Sequence, residues 1–248
     1  MRPIRGADRR RAQTVRQIRN IDRMAPSFQL KHPMGPDDPE EDFWLLNSSL
    51  RSASFYTFAP LLTYSEWHRE QDMTEPYGLW REMLSSFQAD TPGKRLVLKA
   101  PIHTAYLSEL RQAAPSFRVV QIWRDPVPVV GSLNSLLHTL HALVSTHRGP
   151  LELGRRNLEF LSWMGARNRA ARATNDTVLD VRYDDLITDP IGVVESIHQN
   201  FGFEVTDGHR SAIEAYFAER PKERPGRHTY GLEECGLDEQ SVRDALVK

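Results

Sequence analysis

The chain has 248 residues and a single cysteine, Cys235. A lone cysteine excludes both an intramolecular disulfide framework and a thiolate metal cluster, because each needs several sulfur atoms. Few cysteines are typical of proteins in reducing compartments, so the sequence predicts a cytoplasmic location. The histidines show no zinc-type spacing with carboxylates or cysteines, and no metal is expected.

An excess of charge of either sign is also absent. The 32 Lys and Arg residues are balanced by 33 Asp and Glu residues, a net charge of −1. No global field therefore draws the chain to nucleic acid, which we do not expect as a partner. The arginine-rich first 23 residues are open to two interpretations, a nucleic-acid arm or an exposed helix face. The near-helical spacing of Val15, Ile18 and Ile21 favours the helix.

Long hydrophobic runs are missing too. No stretch approaches the roughly 20 apolar residues that cross a bilayer, and no apolar segment follows the basic N-terminus. Neither a transmembrane segment nor a secretion signal is expected. The chain also has no Gly-x-x-x-x-Gly-Lys-Ser/Thr loop, which argues against a kinase-like phosphotransferase.

The pattern of the chain changes at the turn Thr91-Pro92-Gly93. Before it, residues 1–90 are predicted to be helical and aromatic-rich. After it, short runs of apolar, β-branched residues predict strands. These runs are 95–99, 117–123 and 177–183, and the helices expected between and after them are 103–114, 126–143 and 191–201. Alternating strands and helices indicate an open α/β fold with a parallel sheet, in one domain of residues 1–248.

Aromatic side chains are concentrated between residues 40 and 90, and include Phe43, Trp44, Tyr77 and Trp80. Packing of helices against one another explains such a concentration. An aromatic-lined pocket for an acceptor molecule is the functional alternative.

Chemically useful residues follow each predicted strand. Lys99 and His103 follow the first, Arg124 the second and Tyr183 the third. In an open parallel sheet, ligands bind in the crevice beyond the carboxyl ends of the strands. We therefore expect these side chains to share one edge of the sheet.

The block Arg124-Asp125-Pro126 predicts a phosphate site. Asp125 suits the N-cap of a helix, Pro126 its first turn, and amide groups there attract anions, with Arg124 adding a charged fork. Ser132, eight residues after Arg124, lies about two turns along the same helix and could donate a further hydrogen bond. A structural ion pair between Arg124 and Asp125 explains the block equally well.

Lys99 and His103 suit a group-transfer reaction. A neutral imidazole accepts a hydroxyl proton near pH 7, and an ammonium group neutralises developing charge. A purely structural role for His103 is the alternative, since a single histidine at the end of a strand is often structural.

At these motifs the chain resembles the bacterial branch of the PAPS-dependent sulfotransferases, whose P-loop-kinase-like open sheet, flanked by helices, holds 3′-phosphoadenosine-5′-phosphosulfate (PAPS). Leu98–His103 is similar to the family's Leu-Lys-Ser/Ala-Pro-x-His motif, and this implies that Lys99 lies near the sulfate and that His103 is the base for the acceptor. Arg124 to Pro126 with Ser132 resembles the family's Arg-Asp-Pro block and its following serine, which implies that Arg124 and Ser132 bind the 3′-phosphate.

Two further segments carry the resemblance. Tyr183–Leu186 is similar to the Tyr-Asp-Asp-Leu motif, which implies an adenine contact from Tyr183. The segment from Arg227 to Gly236 resembles the C-terminal segment of the bacterial branch. Basic residues there help to hold the nucleotide, so the resemblance suggests Arg227, with Arg224 an equally placed candidate.

The chain departs from the family at its N-terminus, where no Gly-x-x-Arg-Ser-Gly-Thr-Thr-like loop for the 5′-phosphosulfate is found. We interpret the sequence as truncated, with the P-loop strand missing, or else as a degenerate member. The intact motifs favour the first interpretation.

The resemblance implies a sulfotransferase that moves a sulfuryl group from PAPS, its co-substrate, to a hydroxyl or amine of a small-molecule, lipid or glycan acceptor. Within the single domain, residues 1–90 would form the acceptor side and residues 91–248 the PAPS-binding core. The alternative is a non-catalytic protein of the same fold that binds PAP, another nucleotide or only a partner.

Overall fold

The structure is a computed structural model, and it describes residues 9–89, 92–146, 149–174, 177–219 and 231–247. Within these ranges the chain is mostly helical, with a small parallel sheet. The α-helices are α1 (Arg10–Met24), α2 (Phe28–Lys31), α3 (Ala53–Phe58), α4 (Leu62–Arg69), α5 (Thr74–Ala89), α6 (Leu107–Ala113), α7 (Pro126–Val144), α8 (Pro150–Thr174), α9 (Tyr183–Thr188), α10 (Pro190–Asn200), α11 (Asp207–Glu219) and α12 (Glu239–Leu246). The 3₁₀ helices are Asp42–Ser49, Pro101–Tyr106 and Glu233–Cys235, and the strands are β1 (Val119–Trp123) and β2 (Val178–Arg182).

The two strands lie side by side and run parallel, with Val119 opposite Val178 and Trp123 opposite Arg182. Because α7 and α8 connect them, β1 and β2 form a strand-helix-strand crossover, as parallel strands require. The predicted α/β fold with a parallel sheet is confirmed. The carboxyl ends of both strands lie at the same edge.

The strand predicted at residues 95–99 is wrong, because in the structure this segment belongs to no strand. Its alternating pattern is explained by side-chain packing instead. Leu96 and Leu98 pack against the main core, whereas Val97 between them is 95% exposed. Arg95 stacks over the ring of Phe203 at 3.7 Å. The alternating apolar pattern therefore marks a segment that is buried on one side only. It has no hydrogen-bonded strand beside it among the described residues.

The helices predicted after the strands are present. Their starts follow from the sequence, because Asp125 caps α7 by accepting from the Val127 amide, and Asp189 caps α10 by accepting from the Gly192 amide. Each cap is followed by proline at the first helical position, where its missing N–H costs nothing. The region predicted as one helix from residue 103 begins as the 3₁₀ helix Pro101–Tyr106 and continues as α6. The long helix α8 was not predicted.

The main core contains residues from both sides of the turn near residue 92. Tyr77 and Trp80 of α5 are fully buried. They share one hydrophobic cluster with Ile102, Tyr106 and Met164. The aromatic-rich region and the α/β region therefore form one continuous core, and several of the aromatic side chains serve helix packing.

Helix α1 confirms the helical interpretation of the arginine-rich segment from Arg10 onward, and residues 1–8 lie outside the described residues. Its apolar side chains Val15, Ile18 and Ile21 are half-buried, whereas Arg16 and Arg19 are exposed. Ile21 packs against a small cluster around Phe28 and Leu140, so the apolar face anchors α1 to α2 and α7.

Helix α7 has the length and composition of a membrane span, with a mean hydropathy of 1.3 over its most apolar window. The same composition suits a core helix. In the structure α7 packs against α2, α3, α8 and α12, and its buried side chains include Asn134 and His141. A third of that window is buried inside the protein, and α7 meets the criteria for a membrane span by length and composition only.

His68 of α4 generates a testable pH dependence. Its side chain is 1% exposed, and burial lowers the pKa of His68 to about 4, from 6.5. The unfolded chain therefore binds a proton between pH 6.5 and 4 that the folded chain does not, so stability is lost as the pH falls through this range. The loss is roughly 3 kcal/mol at 1.36 kcal/mol per pKa unit.

We expect His68→Leu to flatten this dependence, because it removes the titrating group. Urea unfolding of parent and variant at several pH values between 6.5 and 4 measures the effect. His209→Asn, at an exposed histidine, is the control and should keep the parent slope. A parent slope in His68→Leu would contradict the assignment.

Candidate functional site

Arg124 and Tyr183 meet at the carboxyl edge of the sheet. They are the first residues after β1 and β2, whose last residues, Trp123 and Arg182, are paired. The guanidinium carbon of Arg124 lies 4.5 Å from the centre of the Tyr183 ring, which is a cation–π contact. The structure thus brings together two of the residues that the sequence predicted for nucleotide binding.

The guanidinium of Arg124 is available to a ligand. Asp125 accepts from Nη1 and Nη2 of Arg243, on α12, at 3.3 Å each. Within the described ranges Arg124 has no ion pair of its own. A structural pair of Arg124 with Asp125, the alternative left open by the sequence, is therefore not what the structure shows.

The N-terminus of α7 contributes less to anion binding than the sequence predicted. Pro126 and Pro128 have no N–H, and the Val127 amide donates to the side chain of Asp125 at 3.1 Å. Our expectation that amide groups bind the phosphate here is wrong for this reason. At the first turn of α7, a phosphate would therefore depend on side chains.

Ser132 is one such side chain. It lies on the α7 turn after the capped N-terminus and is half-buried. Its hydroxyl has no hydrogen-bond partner among the described residues, so it remains free to donate to a ligand.

Lys99 forms an ion pair with Glu41, which immediately precedes the 3₁₀ helix Asp42–Ser49. The Lys99 side chain is 72% exposed and that of Glu41 is 17% exposed. The Lys99 ammonium group faces solvent and is accessible to an anionic ligand, but moving it away would leave the largely buried Glu41 carboxylate without this partner.

His103, in contrast, is held on both ring nitrogens. Nδ1 lies 2.7 Å from the Tyr77 hydroxyl, and Nε2 lies 2.8 Å from Oδ2 of Asp42. The same Asp42 oxygen accepts from Nε1 of Trp80 at 2.8 Å. The imidazole is thus the centre of a buried hydrogen-bonded chain rather than an isolated side chain.

The Asp42 side chain is ionised within this chain of hydrogen bonds. Burial alone would raise the pKa of Asp42, but the hydrogen bonds from His103 and Trp80 outweigh burial and hold that pKa below its usual range. Its other oxygen, Oδ1, is buried without a hydrogen-bond partner. A buried carboxylate of this kind interacts strongly with its few partners.

The aromatic region divides into buried and exposed side chains. Tyr77 and Trp80 belong to the core, and both take part in the hydrogen bonds around His103 and Asp42. Trp44 is 38% exposed and lies 4.9 Å from Phe43 and 5.0 Å from Phe58, between ring centres. Trp44 lies two residues from Asp42 in the sequence, and it is one of the exposed aromatic side chains of this region, with Trp67 and Phe87.

The structure brings Arg124 together with Tyr183. It links Lys99 and His103 through the adjacent residues Glu41 and Asp42. Arg227 and its alternative Arg224 lie outside the described residues, so their role stays a prediction.

Sequence reasoning missed the four partners Glu41, Asp42, Tyr77 and Trp80. Nothing in the spacing of these residues connects them with His103.

The exposed Arg124 side chain lies at the carboxyl edge of a parallel sheet, which is where open α/β proteins bind their ligands. The model of the Sulfotransferase family matches residues 2–207, and the chain belongs to this family. No curated protein matches the chain.

Two solved structures are similar. The sulfotransferase STF1 from Mycobacterium tuberculosis H37Rv is 29% identical, with a TM-score of 0.76 over 96% of this chain. STF9 from Mycobacterium avium is 24% identical, with a TM-score of 0.85 over 97% of this chain, a likeness that concerns the fold alone. The chain spans 65% of the first protein and 63% of the second.

Replacing Trp80 tests how strongly the Asp42 carboxylate is held. Trp80→Phe removes a hydrogen bond to a charged group and leaves a small cavity, so we expect a loss of about 3 kcal/mol in the free energy of unfolding. Trp44→Phe, at an exposed indole, is the matched control and should change it by about 0.5 kcal/mol at most. Equal losses in urea denaturation would contradict the importance of this bond.

Proposed function

We propose that this protein transfers a sulfuryl group from PAPS to a hydroxyl or amine of a small-molecule, lipid or glycan acceptor. The observation that carries the proposal is the free Arg124 guanidinium stacked on Tyr183 at the carboxyl edge of the sheet. Family membership supports it. A cytoplasmic location remains part of the prediction, and the reaction as proposed needs no metal ion.

The residues fit the phosphate end of PAPS. Arg124 would pair with the 3′-phosphate, because its guanidinium is exposed and has no ion pair among the described residues. Ser132 would add a hydrogen bond from its free hydroxyl. Tyr183 offers a ring for the adenine, although one face of that ring is covered by Arg124.

PAPS supplies the activated sulfuryl group when it is bound. Lys99 would neutralise negative charge near that group, because its ammonium is exposed to solvent. His103 would take the proton from the acceptor as the general base. The exposed Trp44 stack would bind an apolar part of the acceptor.

A second function has an observation in its favour. Both ring nitrogens of His103 are bonded to buried groups. A protein of this fold that binds PAP or another nucleotide without transferring sulfate is consistent with this observation. The two experiments that follow distinguish the functions.

The nucleotide site is tested by calorimetric titration with PAP. Arg124→Ala should weaken binding by about 1.5 to 3 kcal/mol, the contribution of a hydrogen bond to a charged group, or roughly 10- to 150-fold in Kd. Arg118→Ala is the matched control, because Arg118 is an exposed arginine at the opposite end of β1. Equal affinities of parent and Arg124→Ala would remove Arg124 from the site.

The base is tested by transfer assays with labelled PAPS and a panel of phenol, amine and lipid acceptors. We expect His103→Ala to lose nearly all transfer while retaining its affinity for PAP. Lys99→Ala should slow transfer strongly, whereas Lys94→Ala, at an exposed lysine nearby, should not. PAP binding without any transfer by the parent would favour the non-catalytic function, and equal turnover in His103→Ala would exclude His103 as the base.

A further inference from the structure

Helix α1 carries a row of arginine side chains on the side that faces away from the rest of the protein. Arg9, the N-cap residue of α1, and Arg16, Arg19 and Arg23 within the helix are all exposed. We propose that these four residues, the arginine row, form a docking surface for the anionic headgroups of a lipid bilayer. The inference is independent of the proposed function, because docking needs neither PAPS nor an acceptor.

The helical period aligns the four side chains. At 3.6 residues per turn they fall within a sector of about 80°, and the row is about 21 Å long at 1.5 Å per residue. The half-buried Ile18 and Ile21 lie on the opposite side of the helix, where Ile21 packs against the cluster around Phe28 and Leu140. Helix α1 is therefore held by its apolar face, and the arginine row is turned to solvent.

No carboxylate neutralises the arginine row within the described ranges. None of its four side chains forms an ion pair or a hydrogen bond there, whereas Arg11, on the flank of the helix, pairs with Asp37 at 2.7 Å. Asp22 is the single acidic residue of α1, and it is half-buried, with one carboxylate oxygen buried. The row is thus a local concentration of positive charge in a chain whose net charge is −1.

Exposed apolar side chains lie at one end of the arginine row. Met24, the last residue of α1, is 63% exposed, and Leu30, in the next helix α2, is 53% exposed. A bilayer offers partners to both kinds of side chain, because its headgroups attract arginine and its acyl chains accept apolar groups. Nucleic acid suits this surface less well, since α1 has no aromatic side chain that could stack on a base. The combination favours a lipid surface.

A straight row of cations also suits a flat anionic surface. Each arginine that reaches such a surface strengthens binding roughly fivefold, and the attraction falls off within a Debye length of about 8 Å at physiological salt. Lipid binding through the arginine row should therefore require anionic lipid and should weaken as salt is added.

Co-sedimentation with lipid vesicles tests the inference, and the lipid partition coefficient is the quantity measured. Vesicles of phosphatidylcholine with about one third phosphatidylglycerol should bind the full chain at about 50 mM NaCl, where charges are weakly screened. Vesicles of phosphatidylcholine alone should not bind it. At about 500 mM NaCl the Debye length is only about 4 Å, and binding to the anionic vesicles should be lost.

Three triple variants show whether the arginine row is responsible. Arg16→Gln/Arg19→Gln/Arg23→Gln removes three charges from the row and should lower the partition coefficient roughly 100-fold. Lysine at the same three positions keeps the charge and should leave the coefficient nearly unchanged. The matched control, Arg118→Gln/Arg155→Gln/Arg169→Gln, removes three charges from exposed arginines elsewhere and should also leave it nearly unchanged. Circular dichroism of each variant checks that it is folded.

Several outcomes would overturn the inference. Equal binding to neutral and anionic vesicles would do so, as would no binding to either. A loss in the scattered control as large as in the glutamine variant of the row would show that only total charge matters, and the row would then have no special role. If the parent binds a short DNA duplex but not the anionic vesicles, and the glutamine variant loses the duplex, the row is a nucleic-acid surface and the lipid proposal is wrong.

Discussion

The buried carboxylate of Asp42 is the interaction on which the rest of the site depends. It accepts hydrogen bonds from His103 and Trp80 on a single oxygen, and so ties the 3₁₀ helix Asp42–Ser49 to α5 and to the segment Pro101–Tyr106. A buried charge is stable only when its partners are in place. The carboxylate therefore constrains how the helical N-terminal region lies against the α/β region.

A second constraint acts at the carboxyl edge of the sheet. Because β1 and β2 are paired in register, the residues that follow them are neighbours, and Arg124 reaches the ring of Tyr183. Asp125 forms its ion pair with Arg243, and Arg124 has no ion pair within the described ranges. The C-terminal helix α12 thus contacts the residue next to Arg124, although the two are far apart in the sequence.

Prediction from sequence succeeded where the determining interactions are local. The Asp125-Pro126 and Asp189-Pro190 pairs mark the starts of α7 and α10, since a capping carboxylate and a fixed proline φ act within a few residues. Prediction failed at residues 95–99, because an alternating apolar pattern is the same whether or not a neighbouring strand completes the ladder. The prediction that amides at the start of α7 bind a phosphate also failed. The sequence already shows Pro126 and Pro128, which have no N–H to donate.

The sequence by itself determined the family motifs, the parallel strand-helix-strand arrangement, and the candidate residues Lys99, His103, Arg124, Ser132 and Tyr183. Only the tertiary structure decided the partners of these residues. Asp42 lies 61 positions from His103, and Arg243 lies 118 from Asp125. Pairings across such separations depend on how helices pack around a shared core, and no local propensity or period in one sequence encodes them.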